Sequence, residues 1–306
     1  TNDSIDFSNN SSLPDNAPEL YHDCSWNHGN IFNPKNVSFD NSKSGLTLDD
    51  VSNFEGKEIE FFYNLFDEDL VSHIVQETNK YARDEMKNEN IKQFSKVKRW
   101  SDTNIDEMYC FLGVMMLMPH CRKNTMKQYW STDPLLQTPI FSTLFSQDRF
   151  LIILRMLHLD DNSLSKGGDK LYKIRTVIET IRRKFSSNFN PEKSLVIDES
   201  LILWKGRLEF KQYIPSKRKC FGIKIFVLCD SNSGIVLDFL VYTGKGTNYM
   251  SSEEEFGVSA KVVETLIHPY LDRNHVLYLD NWYTSPTLLR WLLDNKTGAC
   301  GTARAN

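Results

Sequence analysis

The chain has 306 residues, 40% of them apolar and 25% charged, and a net charge of −4; this composition fits ordinary globular domains and is enough for two of them. The longest strongly apolar run, residues 109–118, is about half of the roughly 20 residues a membrane-spanning helix needs, so no membrane partner is expected. Six cysteines (Cys24, Cys110, Cys121, Cys220, Cys229, Cys300) are scattered without a CxxC pair or a His/Cys cluster, which argues against a zinc site and a secreted disulfide framework and for reduced intracellular thiols.

The chain opens on Thr1 and a polar stretch, with neither a signal peptide nor a start methionine, and reads as a piece of a longer protein. Residues 1–57 are acidic, rich in Asn, Ser and Asp, and without apolar periodicity; they are expected to be disordered or only locally docked. The glycosylation sequons at Asn9, Asn10 and Asn36 are chance matches in such a tail.

Residues 58–190 read as helical. Leu70, Ile74 and Val75 fall at helical spacing, and the apolar run 109–118 follows a capping-box-like Thr103-Asn-Ile-Asp106. A further helix is expected over 150–159. In the last of the series Leu171, Ile174, Val177, Ile178, Ile181 and Phe185 share one face while Arg175, Arg182 and Arg183 fall elsewhere, which predicts an amphipathic helix with a basic side. After Pro191 the pattern changes to short β-branched runs, at 195–197, 223–228, 235–242 and 276–279. A helix over 259–271 separates the third run from the fourth, and another starts with Ser285 as N-cap and Pro286 at its first position and ends near Gly298. Three strands, a helix, a strand and a helix make an α/β arrangement, a mixed sheet covered by helices.

The overall negative charge conceals an asymmetry. Residues 170–224 carry fourteen Lys and Arg against five Asp and Glu, a net +9, which leaves −13 for the rest. A basic block of this kind is a common footprint of phosphate-backbone binding and also an ordinary solvated face. Within it, residues 204–219 alternate cations with the aromatics Trp204, Phe210 and Tyr213. The aromatics are expected to pack on the core and the cations to meet DNA phosphates.

Ser-Leu-Val-Ile-Asp198-Glu and Val-Leu-Tyr-Leu-Asp280-Asn share one design, an apolar strand ending in an aspartate. The crevice beyond the carboxyl ends of central strands is where such sheets bind ligands. The plain alternative is an aspartate that opens a turn or caps a helix, although beyond Asp280 the cap role falls to Ser285. Two aspartates meeting in one crevice suit Mg²⁺, a hard ion that takes carboxylate, water and phosphate oxygens and can promote in-line displacement at phosphorus. Glu199 is expected to face the other side of the strand, Asp230 to sit in a turn and Asp238 on the strand surface, so none of these three joins the site.

The residues Ile197-Asp-Glu-Ser, Lys205-Gly-Arg, Gln212-Tyr-Ile-Pro-Ser-Lys217, Gly222-Ile-Lys and Leu279-Asp-Asn-Trp-Tyr-Thr-Ser-Pro286 together resemble the piggyBac family of DNA transposases. Upstream, Tyr129-Trp-Ser-Thr-Asp-Pro-Leu-Leu, Thr138-Pro-Ile-Phe, Asp148-Arg-Phe and Arg155-Met-Leu-His-Leu look like its helical region, so the resemblance runs from about Asn53 to the end. It implies an RNase H-like core over 191–306, present in its first part only, behind a helical dimerisation and DNA-binding domain over 58–190. It also implies metal-dependent cut-and-paste at TTAA sites through hairpin intermediates. By position, Asp198 and Asp280 would be the first two acids of the family's aspartate triad, holding Mg²⁺ with Mn²⁺ as the alternative. The third acid and a cysteine-rich zinc domain would lie downstream of Asn306.

Lys205, Arg207, Lys211, Lys217, Arg218, Lys219, Lys224, Arg182 and Arg183 are the cations expected to contact double-stranded DNA. A homodimer, a nuclear location and no small-molecule cofactor complete the expectation. Two rival functions stand beside the transposase: a domesticated descendant that binds DNA without cutting it, and a protein-interaction module with no nucleic-acid role.

Overall fold

The computed structural model describes residues 38–47, 55–88, 95–164, 167–215, 220–250 and 256–303. In chain order the regular elements are β1 (Gly45–Leu46), α1 (Glu58–Leu65), α2 (Glu68–Met86), α3 (Ile105–Leu117), α4 (Pro139–Leu144), α5 (Gln147–Met156), α6 (Arg175–Asn188), β2 (Phe189–Asn190), β3 (Ser194–Leu203), β4 (Gln212–Tyr213), β5 (Phe221–Asp230), β6 (Val236–Val241), α7 (Val258–Ile267), β7 (Val276–Leu279), α8 (Pro286–Asp294) and β8 (Gly298–Gly301).

The helical region forms because its caps and its apolar spacing agree. Asp67 accepts from the Leu70 amide and starts α2, which then buries Leu70, Val71, Ile74, Val75, Thr78, Asn79 and Ala82, one face at three- and four-residue steps. The cap of α3 lies one residue later than expected: Asn104, not Thr103, accepts from the Glu107 amide, and Thr103 donates instead to the Glu107 carboxylate. Helix α5 begins at Gln147, capped by Ser146, and the expected start of α6 at Leu171 is taken by a short 3₁₀ turn over 172–174. Around Phe111, Phe141, Phe150, Met108 and Met156 these helices build the first hydrophobic core.

Residues 38–47 of the acidic N-terminal stretch dock where the helical region meets the sheet. β1 pairs antiparallel with β2, and the Asn190 and Asn274 side chains donate to the Lys43 and Ser38 carbonyls.

The sheet is a meander followed by a parallel pair. β5 lies between β3 on one edge and β4 and β6 on the other, all antiparallel, while β3, β7 and β8 run parallel. This is the strand order of an RNase H-like core. Gly222 is needed where β5 pairs with the end of β3, because a Cβ there would lie 2.4 Å from the Ile202 carbonyl oxygen. Helix α7 buries Val262, Val263, Leu266 and Ile267 with the sheet's Leu195, Ile197, Leu228, Leu277 and Leu279 in the second core; each such side chain contributes about 1.5–3 kcal/mol. Ser285 caps α8 as expected, accepting from the Leu288 amide. Among the described residues no helix is long and apolar enough to cross a membrane.

Candidate active site

Strand register builds the site. In the parallel pair, Ile197 of β3 faces Leu279 of β7, and there β7 ends. The next residue on each strand is an aspartate, so Asp198 and Asp280 stand side by side. The expectation that both aspartates close a strand holds for Asp280 alone. β3 continues past Asp198 to Leu203 because β5 keeps pairing with it, Asp198 facing Val227 and Glu199 facing Phe226.

Asp280 does open a turn, but through its backbone: its carbonyl accepts from the Tyr283 and Thr284 amides at 3.1 and 3.2 Å and from the Thr284 hydroxyl at 2.9 Å. Its carboxylate is left over from that work. Both aspartates are exposed, so a burial penalty does not force them to find partners; their availability rests on position. Asp198 accepts from the Glu199 amide at 2.7 Å, and among the described residues neither aspartate forms an ion pair with a Lys or Arg.

Glu199 corrects the sequence reading. Strand alternation puts its Cα–Cβ bond on the side of Leu195 and Ile197, opposite Asp198. Yet carboxylate oxygens of Asp198, Glu199 and Asp280 all lie within 4.8 Å of one another. The extra methylene of Glu, at a point where β7 no longer flanks β3, carries its head group to the other two. Three hard carboxylates without a thiol or imidazole form a donor set that fits a divalent cation of the Mg²⁺ type.

Below the acids lies Tyr283, fully buried, with its hydroxyl lacking a hydrogen-bond partner among the described residues. Burial first, then the charges of Glu199, Asp198 and Asp280, push this phenol up, which keeps it neutral. Beside it Trp282 stacks on Phe226, centroids 5.6 Å apart and planes 8° from parallel. Lys224 places its ammonium over both rings, 4.7 Å from Phe226 and 5.0 Å from Trp282.

The expected DNA-contacting cations separate into distinct settings. Lys205 and Arg207 are exposed in the loop after β3, and among the described residues neither has a carboxylate partner. Lys211 closes that loop, donating to the Gly206 carbonyl at 3.2 Å with its ammonium 5.5 Å from the Phe221 ring. Lys217, Arg218 and Lys219 lie outside the described residues. Arg183 is exposed on α6, but Arg182 is occupied: it forms a two-pronged pair with Asp238, at 2.7 and 2.8 Å, and also reaches Glu179. Asp238, expected on the strand surface, is therefore buried as the anchor of α6 on β6. Asp230 is the turn residue expected, fully buried and accepting from the Asn232, Ser233 and Glu192 amides. Of the three aromatics expected to pack inside, only Phe210 does; Trp204 and Tyr213 are exposed.

An RNase H-like sheet thus carries three acids where its central parallel pair ends. Residues 57–306 match the profile of the family described as Transposase IS4. The human PiggyBac transposable element-derived protein 3 is 29% identical over 203 residues, covering 65% of this chain and 33% of its own length. The human PiggyBac transposable element-derived protein 2 is 24% identical over 262 residues, covering 84% and 41%. A piggyBac transposase synaptic complex with hairpin DNA, solved by cryo-EM, matches with a TM-score of 0.74 at 27% identity, over 87% of this chain and 54% of that one. The chain belongs to the piggyBac family of transposases and transposase-derived proteins. It spans less than half the length of these two human relatives.

Proposed function

We propose that this chain is the acid-bearing part of a transposase that cleaves DNA and transfers strands at TTAA sites, using Asp198 and Asp280 with Mg²⁺, or Mn²⁺ in its place. The observation that carries the reading is the register that sets the two aspartates side by side at the end of β7, with the Glu199 carboxylate within 4.8 Å. A divalent cation held there would stabilise charge on the attacking and leaving oxygens of an in-line displacement at phosphorus. Asp198 and Asp280 hold it, and Glu199 adds a third carboxylate and further negative charge. Lys205, Arg207 and Arg183, exposed and without a carboxylate partner among the described residues, grip the phosphate backbone of double-stranded DNA. The protein acts as a homodimer in the nucleus, where its substrate is.

The test is strand nicking of TTAA-flanked duplex by the full-length protein in Mg²⁺ or Mn²⁺. The expected result is nicking that D198N and D280N each abolish; absence of nicking with intact DNA binding would favour a second reading, a domesticated DNA-binding protein. The human relatives named as element-derived proteins give that second reading its motive.

A further inference from the structure

We propose that Trp282 and Lys224 form a receptor for one unpaired nucleotide beside the carboxylates, Trp282 stacking its base and Lys224 holding its phosphate. The inference rests on the DNA-cleaving reading of the site and names what the substrate strand must do there. Trp282 follows Asp280 by two residues and is 43% exposed, whereas Tyr283 next to it is wholly buried. One face of its indole lies against Phe226, and Tyr283 meets it edge-on at 4.8 Å and 85°. The turn bonded to the Asp280 carbonyl fixes the backbone beneath. An aromatic plane is thus held rigid from behind and beside, and still open to solvent.

Lys224 adds the sign of the ligand. Among the described residues no carboxylate pairs with it, and its ammonium rests on the two rings. Lys224 lies on β5 opposite Leu201, two places along from the Glu199–Phe226 pair, so an ammonium suited to an anion stands on the strand next to the carboxylates, and the exposed ring of Trp282 suits a flat base. Stacking on an aromatic tolerates any base, since every base has a π-face. A base inside a duplex, however, has both faces covered by its neighbours. The receptor therefore fits only a nucleotide that has left the stack, as enzymes acting within DNA commonly require.

The test uses the full-length protein in Ca²⁺ and two TTAA-containing duplexes carrying 2-aminopurine next to the scissile phosphate, one with that base paired and one with it unpaired. The wild type is expected to quench the unpaired base several-fold more than the paired one and to bind that duplex about tenfold more tightly. W282A should lose both differences while keeping its affinity for the paired duplex. K224Q should weaken both duplexes and lower the salt dependence by about one phosphate. If W282A folds poorly, W282F, which retains a π-face, should keep the quench and W282L should lose it. Equal quenching and affinity for the two duplexes in the wild type, or quenching that survives in W282L, would overturn the receptor and leave the DNA reading standing. Failure of the wild type to bind either duplex would overturn both.

Discussion

In the helical region and its junction with the sheet, cations end on carboxylates: Arg149 on Glu107, Arg175 on Asp169, Lys184 on Asp67 and Arg182 on Asp238. Around the parallel pair of the sheet, among the described residues, Asp198 and Asp280 have no cationic partner, and Lys205 and Arg207 no anionic one. Sequence charge alone does not distinguish these settings, since the basic block at 170–224 runs through both. Its N-terminal half bolts α6 to its surroundings, whereas Lys205, Arg207 and Lys224 of its C-terminal half have no carboxylate partner among the described residues.

The largest effect is expected at the acids. D198N or D280N in the full-length protein should lower metal-dependent nicking by about 10³-fold, the several kcal/mol that a bound ion supplies, while the melting temperature stays within a few degrees because both side chains are exposed. The opposite pattern is expected at the bolts. D230A removes the acceptor of three backbone amides and should destabilise the fold by about 2–4 kcal/mol. R182A, which strands the buried Asp238, should cost about 2 kcal/mol. Denaturant melts would report both losses, and the salt dependence of DNA binding should not move. The double variant K205Q/R207Q should do the reverse, leaving stability unchanged and reducing the slope of log affinity against log salt by about 2.

A smaller effect comes from His275, nearly fully buried, with Nδ1 3.0 Å from the Glu192 carbonyl. Burial is the main cause that lowers its pKa below the ordinary imidazole value. The unfolded chain therefore binds the proton more readily, so the stability that neutral His275 contributes is fully present above about pH 6.5 and is lost as pH falls from there through the lowered folded value. Thermal melts between pH 7.5 and 5.5 should show the decline, and H275Q should flatten it.

How far the sequence was legible follows from which rules are local. Ser285 with Pro286, the run 276–279 and the change from helical to strand spacing at Pro191 were readable because capping and periodicity act within a few residues. The pairing of Asp198 with Asp280 was readable because each ends a like apolar run, though the register that proves it joins residues 82 positions apart. Glu199 was misplaced because alternation describes the backbone and not the reach of a longer side chain. The pairing of Arg182 was not readable because its partner Asp238 lies 56 positions away, beyond anything helical spacing can see. Trp282 carried one signal in sequence, an aromatic two residues after a strand-end aspartate, but nothing local could say that its inner face would be occupied by Phe226.

Titration of the protein with Mn²⁺, following the free ion by electron paramagnetic resonance, tests whether Asp198, Glu199 and Asp280 form one cation site. The predicted result is saturable binding that D198N and D280N each abolish, that E199Q weakens, and that excess Mg²⁺ competes away. Binding unchanged in D198N and D280N, or none in the wild type, would contradict it.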